Sequence, residues 1–259
     1  MLKSLFGRGK AKRAPAAPAG ARAYAIGDVH GCRALLDQLL DRIERDNRER
    51  GPATTYLVLL GDLVDRGPDS RGVIERLLAD PPGFARNVVL KGNHEEFFER
   101  VLGGDDEVIP RWLTYGGQEC AQSYGLGGGW MLNARAPEIG TRLREAVPAA
   151  HQRFLADMAD TFRFGDYLFV HAGIRPGVPL DSQHSGDLRW IREGFLDDGT
   201  DHGLMVVHGH TIVDGPEQHA NRIALDTGAY RSGVLTALGL EGTERWFLSA
   251  RGENLSAAA

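Results

Sequence analysis

Gly27-Asp28-Val29-His30-Gly31 and Gly61-Asp62-Leu63-Val64-Asp65-Arg66-Gly67 decide how this chain is read. Each follows an apolar segment of strand character, residues 22–26 in the first case and 55–60 in the second, so each polar run is a turn just past a strand end. Three further runs repeat the arrangement: Gly92-Asn93-His94-Glu95 after 87–91, His171-Ala172-Gly173 after 167–170, and His208-Gly209-His210-Thr211 after 204–207. An open α/β sheet gathers its ligand-binding groups at such strand ends. The glycines permit sharp turns and a close approach of the main chain to whatever is bound.

Between the runs the periodicity changes. Leu35, Leu36, Leu39, Leu40 and Ile43 stand at helical spacing opposite Asp41, Arg42, Glu44 and Arg45, which predicts an amphipathic helix over 33–47. Gly51-Pro52 ends it, and the following strand is apolar throughout, as in a sheet covered on both faces. A second helix is expected over 70–79, with Val73, Ile74, Leu77 and Leu78 inward and Pro81-Pro82 as the stop. A third begins at Asn93-His94, where Glu95 and Glu96 complement the helix dipole.

From 103 to 147 the pattern loosens, and Trp112, Tyr115, Tyr124 and Trp130 stand among glycines and polar residues. This reads as a helical and loop insertion over the strand ends, serving substrate selection or forming a lid whose aromatics are purely structural. After a helix carrying Phe154, Leu155 and Met158, a hairpin is expected around Gly165-Asp166. Late strands near 222–225, 233–240 and 244–248 predict a second, more antiparallel sheet.

The chain has 259 residues, 42% of them hydrophobic and 25% charged, which allows a large core in one α/β domain and argues against disorder. No apolar run approaches the ~20 residues of a membrane-spanning helix. Two cysteines, Cys32 and Cys120, are too few for a disulfide framework and read as free thiols of a reducing cytoplasm. Cys32, two residues past His30, is alternatively an oxidation-sensitive group.

Lys3, Arg8, Lys10, Lys12, Arg13 and Arg22 fall within the first 22 residues, which hold no acid, so the body is more acidic than the net −5 of the whole chain. Such a body argues against nucleic acid as a partner. Residues 1–21 lack the central apolar stretch of a secretory signal and read as a disordered basic leader, with a contact to an anionic membrane or a partner as the alternative.

The runs together offer Asp, His, Asp, Asn and two His, a ligand set for two adjacent divalent ions. Without cysteine, it suits Mn²⁺, Fe²⁺ or Zn²⁺, Mn²⁺ being the expected pair. One ion takes Asp28, His30 and Asp62; the other takes Asp62, Asn93, His171 and His210, with Asp62 bridging. Ions about 3.5–4 Å apart can share a hydroxide formed near neutral pH for in-line attack on phosphorus. Arg66, four residues past Asp62, can fork two phosphoryl oxygens, beside Asn93. His94 is placed to protonate the leaving oxygen, with Asp65 fixing its tautomer.

These runs resemble those of the phosphoprotein phosphatases, the metal-dependent serine/threonine phosphatases among the calcineurin-like metallophosphoesterases, and the His-Gly-His-Thr ending is similar to the bacterial and phage members. The likeness spans about 22–242. It implies an α/β fold in which a two-sheet β-sandwich is flanked by helices, with the dimetal site at the C-terminal strand ends. The catalytic domain then covers 22–250, with 251–259 as a flexible tail. The resemblance supports the metal ligands and the roles of Arg66, His94 and Asp65. It adds Arg192 as a second phosphate clamp, because Asp187-Leu188-Arg189-Trp190-Ile191-Arg192 is similar to the segment that carries that arginine, although Arg189 stands where leucine is usual.

The implied function is phosphomonoester hydrolysis in the cytoplasm on a phosphorylated protein or small phosphoester, without stable membrane insertion. The alternative is a symmetrical dinucleoside tetraphosphatase, against which Asp65 and Glu95 weigh. His208 reads as a structural histidine or as support behind the ligands, and His151, His184, His202 and His219 as surface or packing residues.

Overall fold

A computed structural model describes residues 13–252 except 128 and 132. The first sheet has the order β10-β9-β1-β2-β3. It is formed by β1 (Ala21–Ile26), β2 (Thr54–Leu59), β3 (Arg86–Val89), β9 (Val234–Glu241) and β10 (Glu244–Arg251). The second has the order β4-β5-β6-β8-β7 and comprises β4 (Thr161–Phe164), β5 (Tyr167–Val170), β6 (Met205–His208), β7 (Glu217–Gln218) and β8 (Arg222–Ala224).

β1, β2 and β3 run parallel, as do β5, β6 and β8, while β9 lies antiparallel to β1 and β4 to β5. The period of two along β1 divides its side chains between two cores. Ala23 and Ala25 face Val58, Phe169, Val207, Ile223 and Leu238 between the sheets, and their small size lets the sheets close together. Tyr24 and Ile26 face the helices, among Leu36, Leu39 and Ile43 of α1 (Arg33–Glu49). Leu36 and Leu39 are fully buried, so truncating either to alanine should cost about 2–5 kcal/mol.

The same layer holds α2 (Ser70–Ala79), α3 (Asn93–Leu102), α4 (Ile109–Trp112), α5 (Gln118–Ser123), α6 (Ala136–Ala146) and α7 (Ala149–Ala156). On the far face of the second sheet, Leu168, Val170 and Val206 pack against Ile174, Phe195 and Leu188, the last from α8 (Ser185–Trp190). A single turn, α9 (Ala229–Ser232), precedes β9.

The late strands depart from expectation. β9 and β10 do not join a second antiparallel sheet; they extend the first, where β9 pairs with β1 from Arg22↔Glu241 to Ile26↔Ala237. β9 supplies Leu235 and Ala237 to the helix side and Leu238 and Leu240 to the inter-sheet side, so this strand, held between β1 and β10, buries both of its faces.

Residues 13–20, assigned to the leader by composition, are docked. The Ala16 amide donates to Asp166, Asp166 returns a bond to the Ala16 carbonyl, the Ala17 amide donates to Gly242, and Arg13 pairs with Asp166. The rest of the leader, 1–12, and the tail from 253 lie outside the described residues. No helix among the described residues is long and apolar enough to cross a membrane.

Candidate active site

Both sets of parallel strands deliver their C-terminal ends to one end of the sandwich. Asp28 follows β1, Asp62 β2, Asn93 β3, His171 β5 and His210 β6, and all five are buried. Among the described residues, the non-glycine positions with positive φ are His30, Asp62, Asp65, Arg66 and His210, every one of them in the predicted site. Left-handed backbone costs an ordinary residue about 1–2 kcal/mol, and it persists only where the surroundings enforce it. Glu95 is one enforcer. Its carboxylate accepts the amides of Asp62 (2.8 Å), Leu63 (2.7 Å), Val64 (3.2 Å) and Gly92 (2.9 Å), tying the β2 turn to the start of α3.

Asp62 is the centre of the arrangement. Its carboxylate belongs to two sets of mutually close ligand atoms, His30–Asp62–His94 and Asp62–His171–His210. One oxygen lies 3.6 Å from His30 Nε2, and the other 3.4 Å from His171 Nε2. Asn93 Oδ1 is 3.1 Å from His171 Nε2. The Nδ1 atoms of His30 and His171 donate to the carbonyls of Val64 (2.8 Å) and Leu60 (2.9 Å), which leaves each Nε2 as the electron-pair donor facing the centre. Asp28 is not in either close set. Both its oxygens accept the His210 amide, at 3.2 and 3.0 Å, which locks the β1 turn to the β6 turn.

The chemistry of this cluster fits a pair of cations. His210 Nε2 and Asp226 Oδ2 are buried without a hydrogen-bond partner among the described residues, a costly state for polar atoms unless a further ligand engages them. A Cβ at Gly92 would strike the Asp62 carboxylate, and one at Gly209 would strike that of Asp28.

The charges agree with this picture. Burial, reinforced by Asp226 and Asp62, holds Asp28 well above the usual carboxylate range, and burial likewise raises Asp226. Against the upward push of burial, His171, His94 and His30 hold Asp62 well below that range. Burial and the neighbouring imidazoles push His30 far down and His210 down to about 2, so both are neutral, the form that binds a metal.

Around the cluster stand the groups expected to handle phosphate. His94 Nδ1 donates to Asp65 Oδ2 at 2.7 Å, directing Nε2 toward Asp62, 3.9 Å away. Burial pushes His94 down, but Asp62 and Asp65 outweigh it and hold the imidazole above its ordinary range. Arg66 donates to His30 Nε2 at 3.1 Å and lies 5.0 Å from the Tyr230 ring. Arg192 donates to the His210 carbonyl at 3.2 Å. Arg189 is instead tied to Asp160 and Glu96, and Arg175 to Asp187, so Arg192 is the arginine of this segment that adjoins the centre.

Three residues escaped the sequence reading. Trp112 Nε1 donates to both Asp65 oxygens at 3.1 Å from 47 positions away, so at least one aromatic of the insertion supports the site from beneath. Tyr230 meets the His30 ring edge-on at 5.3 Å. Asp226 had a visible signal, because Asp226-Thr227-Gly228 follows an apolar strand just as the five runs do. His208 is fully buried against Phe195, and its Nδ1 bonds the Gly209 carbonyl. His151 is buried against the Tyr124 hydroxyl, at 2.9 Å. Cys32 and Cys120 are free and buried, and burial pushes the Cys32 thiol up to about 12, which works against its reading as an oxidation sensor.

Known proteins resemble this chain in sequence and in fold. The sequence profile of the calcineurin-like phosphoesterases matches residues 21–238. Serine/threonine-protein phosphatase 1 of Salmonella typhimurium is 28% identical over 221 residues, covering 82% of this chain and 89% of that protein. The symmetrical bis(5'-nucleosyl)-tetraphosphatase of Methylobacillus flagellatus is 28% identical over 270 residues, covering 85% of this chain and 92% of that protein. A solved structure described as a candidate diadenosine tetraphosphatase has a TM-score of 0.61 at 22% identity, covering 93% of this chain and all of its own, a likeness of fold.

Proposed function

The chain belongs to the calcineurin-like phosphoesterase family, and we propose that it is a cytoplasmic dimetal phosphomonoesterase acting on phosphoserine or phosphothreonine in proteins. The observation that carries the hydrolase reading is the shared Asp62 carboxylate between two histidine-containing sets, with the His94–Asp65 pair and two arginines alongside. Asp28, His30 and Asp62 would hold one ion; Asp62, Asn93, His171 and His210 would hold the other. Two divalent ions, Mn²⁺ on our reading with Fe²⁺ or Zn²⁺ as alternatives, supply Lewis acidity and lower the pKa of water toward neutrality.

The protein's own groups do the rest. Arg66 and Arg192 offer forked donors to the non-bridging phosphoryl oxygens, where charge-assisted bonds are strongest. His94 Nε2 carries a proton to the leaving oxygen, while Asp65 holds the opposite nitrogen protonated and Trp112 holds Asp65. The free, buried thiols suit a reducing compartment.

A second reading, symmetrical hydrolysis of dinucleoside tetraphosphates, draws support from the relatives that carry that name. Asp65, bonded to the proton donor, favours the first. Glu95 weighs less than its sequence suggests, because it binds backbone amides and holds a turn. Metal-dependent release of p-nitrophenol from its phosphate ester tests the hydrolase. Comparing kcat/KM for a phosphopeptide panel with that for diadenosine tetraphosphate then tests the substrate; a clear preference for the dinucleotide would replace the first reading with the second.

A further inference from the structure

An aromatic wall borders the proposed site and plays no part in the chemistry above. Tyr115 is 43% exposed and stacks on Phe97 of α3, with centroids 6.1 Å apart and planes 23° apart. Phe97 in turn meets Trp190 edge-on at 5.1 Å. The Trp190 indole is oriented by its bond to Glu96, at 3.3 Å, and lies 6.4 Å from the His210 ring. At the other end of the wall, the carbonyl of Gly116, next to Tyr115, accepts the Arg66 amide at 2.9 Å. The wall therefore reaches from the phosphate-clamp side of the centre to the His210 side.

Arg111 completes it. Its guanidinium lies 5.4 Å from the Phe97 ring, 5.6 Å from Tyr115 and 5.9 Å from Trp190, and its side chain has no hydrogen bond or carboxylate partner among the described residues. An exposed tyrosine face beside an unneutralised guanidinium attracts a planar, polarisable, anionic molecule, because rings and guanidinium planes both stack and the cation favours phosphate.

We propose that Tyr115, Arg111 and Trp190 form a stacking platform for a planar aromatic group attached to the phosphate that Arg66 grips. This rests on the phosphoester-hydrolase reading above, but not on its choice of phosphoserine or phosphothreonine, whose side chains carry no ring for the platform to stack. Two substrates present that chemistry, a nucleotide through its base and a phosphotyrosyl residue through its phenol ring.

Calorimetry on the full, metal-loaded chain separates them with two matched pairs of probes: AMP against ribose 5-phosphate, and phosphotyrosine against phosphoserine. The ring-bearing member of at least one pair should bind about 5- to 100-fold more tightly, as stacking on an aromatic side chain allows. Tyr115→Ala should collapse that ratio, and Tyr115→Phe, which keeps the ring, should restore it. A preference confined to AMP assigns the platform to a nucleobase, and one confined to phosphotyrosine assigns it to an aryl ester. Equal affinity within both pairs, or a ratio that survives Tyr115→Ala in a variant with an unchanged melting curve, overturns the proposal. Because binding is read directly, a wild-type protein that stacks AMP yet hydrolyses no ester would refute the hydrolase and leave the platform standing.

Discussion

At Arg66 a side chain needed at the phosphate end is carried by a backbone that opposes it, with φ at 66°. The two demands can be separated by substitution. Arg66→Ala and Arg66→Gly both remove the guanidinium, so both should weaken inhibition by inorganic phosphate while leaving metal content intact. They should differ in stability. Glycine relieves the left-handed strain that alanine keeps, and the gain exceeds the extra freedom glycine has when unfolded by roughly 0.5–1 kcal/mol. In thermal melts Arg66→Gly should therefore unfold roughly 1–4 °C above Arg66→Ala; an alanine variant that melts higher would show that the turn is not strained. Asp62 and His210 were legible at this scale because each directly follows a glycine just past an apolar strand. Tyr230 was not, since no spacing marks it and its contact with His30 is made only in the fold.

Among the elements, α3 and α4 act as one device. α3 begins with Asn93, His94 and Glu95, while α4 ends in Trp112, whose ring stacks on Phe98 of α3 with centroids 5.6 Å apart and planes 8° apart. The insertion thus supports the proton donor by a route that sequence could not disclose, because 47 residues separate Trp112 from Asp65. Trp112→Phe should keep the stack and lose the N–H bond. Turnover of phosphoserine peptides, which need a proton on the leaving oxygen, should then fall about tenfold, a fraction of the ~10²–10⁴-fold that general-acid help supplies, whereas p-nitrophenyl phosphate is nearly spared. Equal losses on both esters would make Trp112 a packing residue only.

For the whole molecule, the parallel strands and their helices were readable from periodicity, but the partner of β9 was not. Both its faces are apolar, and only the closed sandwich shows that it borders β1. The same closure crowds Asp28, Asp62 and Asp226 into one buried volume, a repulsion that bound cations would offset. Chelation should lower the melting temperature by about 10–20 °C if both ions are present at roughly 100 times their dissociation constants. A midpoint unmoved by chelator, followed by elemental analysis, would contradict a metal-filled centre. The docked segment 13–20 enters where β1 and β5 start, whereas β10 returns to the strand-end side, Arg251 pairing with Val234 and Gly252 lying near Leu35. The two exits are therefore unequal as attachment points: a tag, fusion partner or surface linker joined ahead of Arg13 stands a strand length away from incoming substrate, while the same cargo joined after Gly252 hangs beside the mouth.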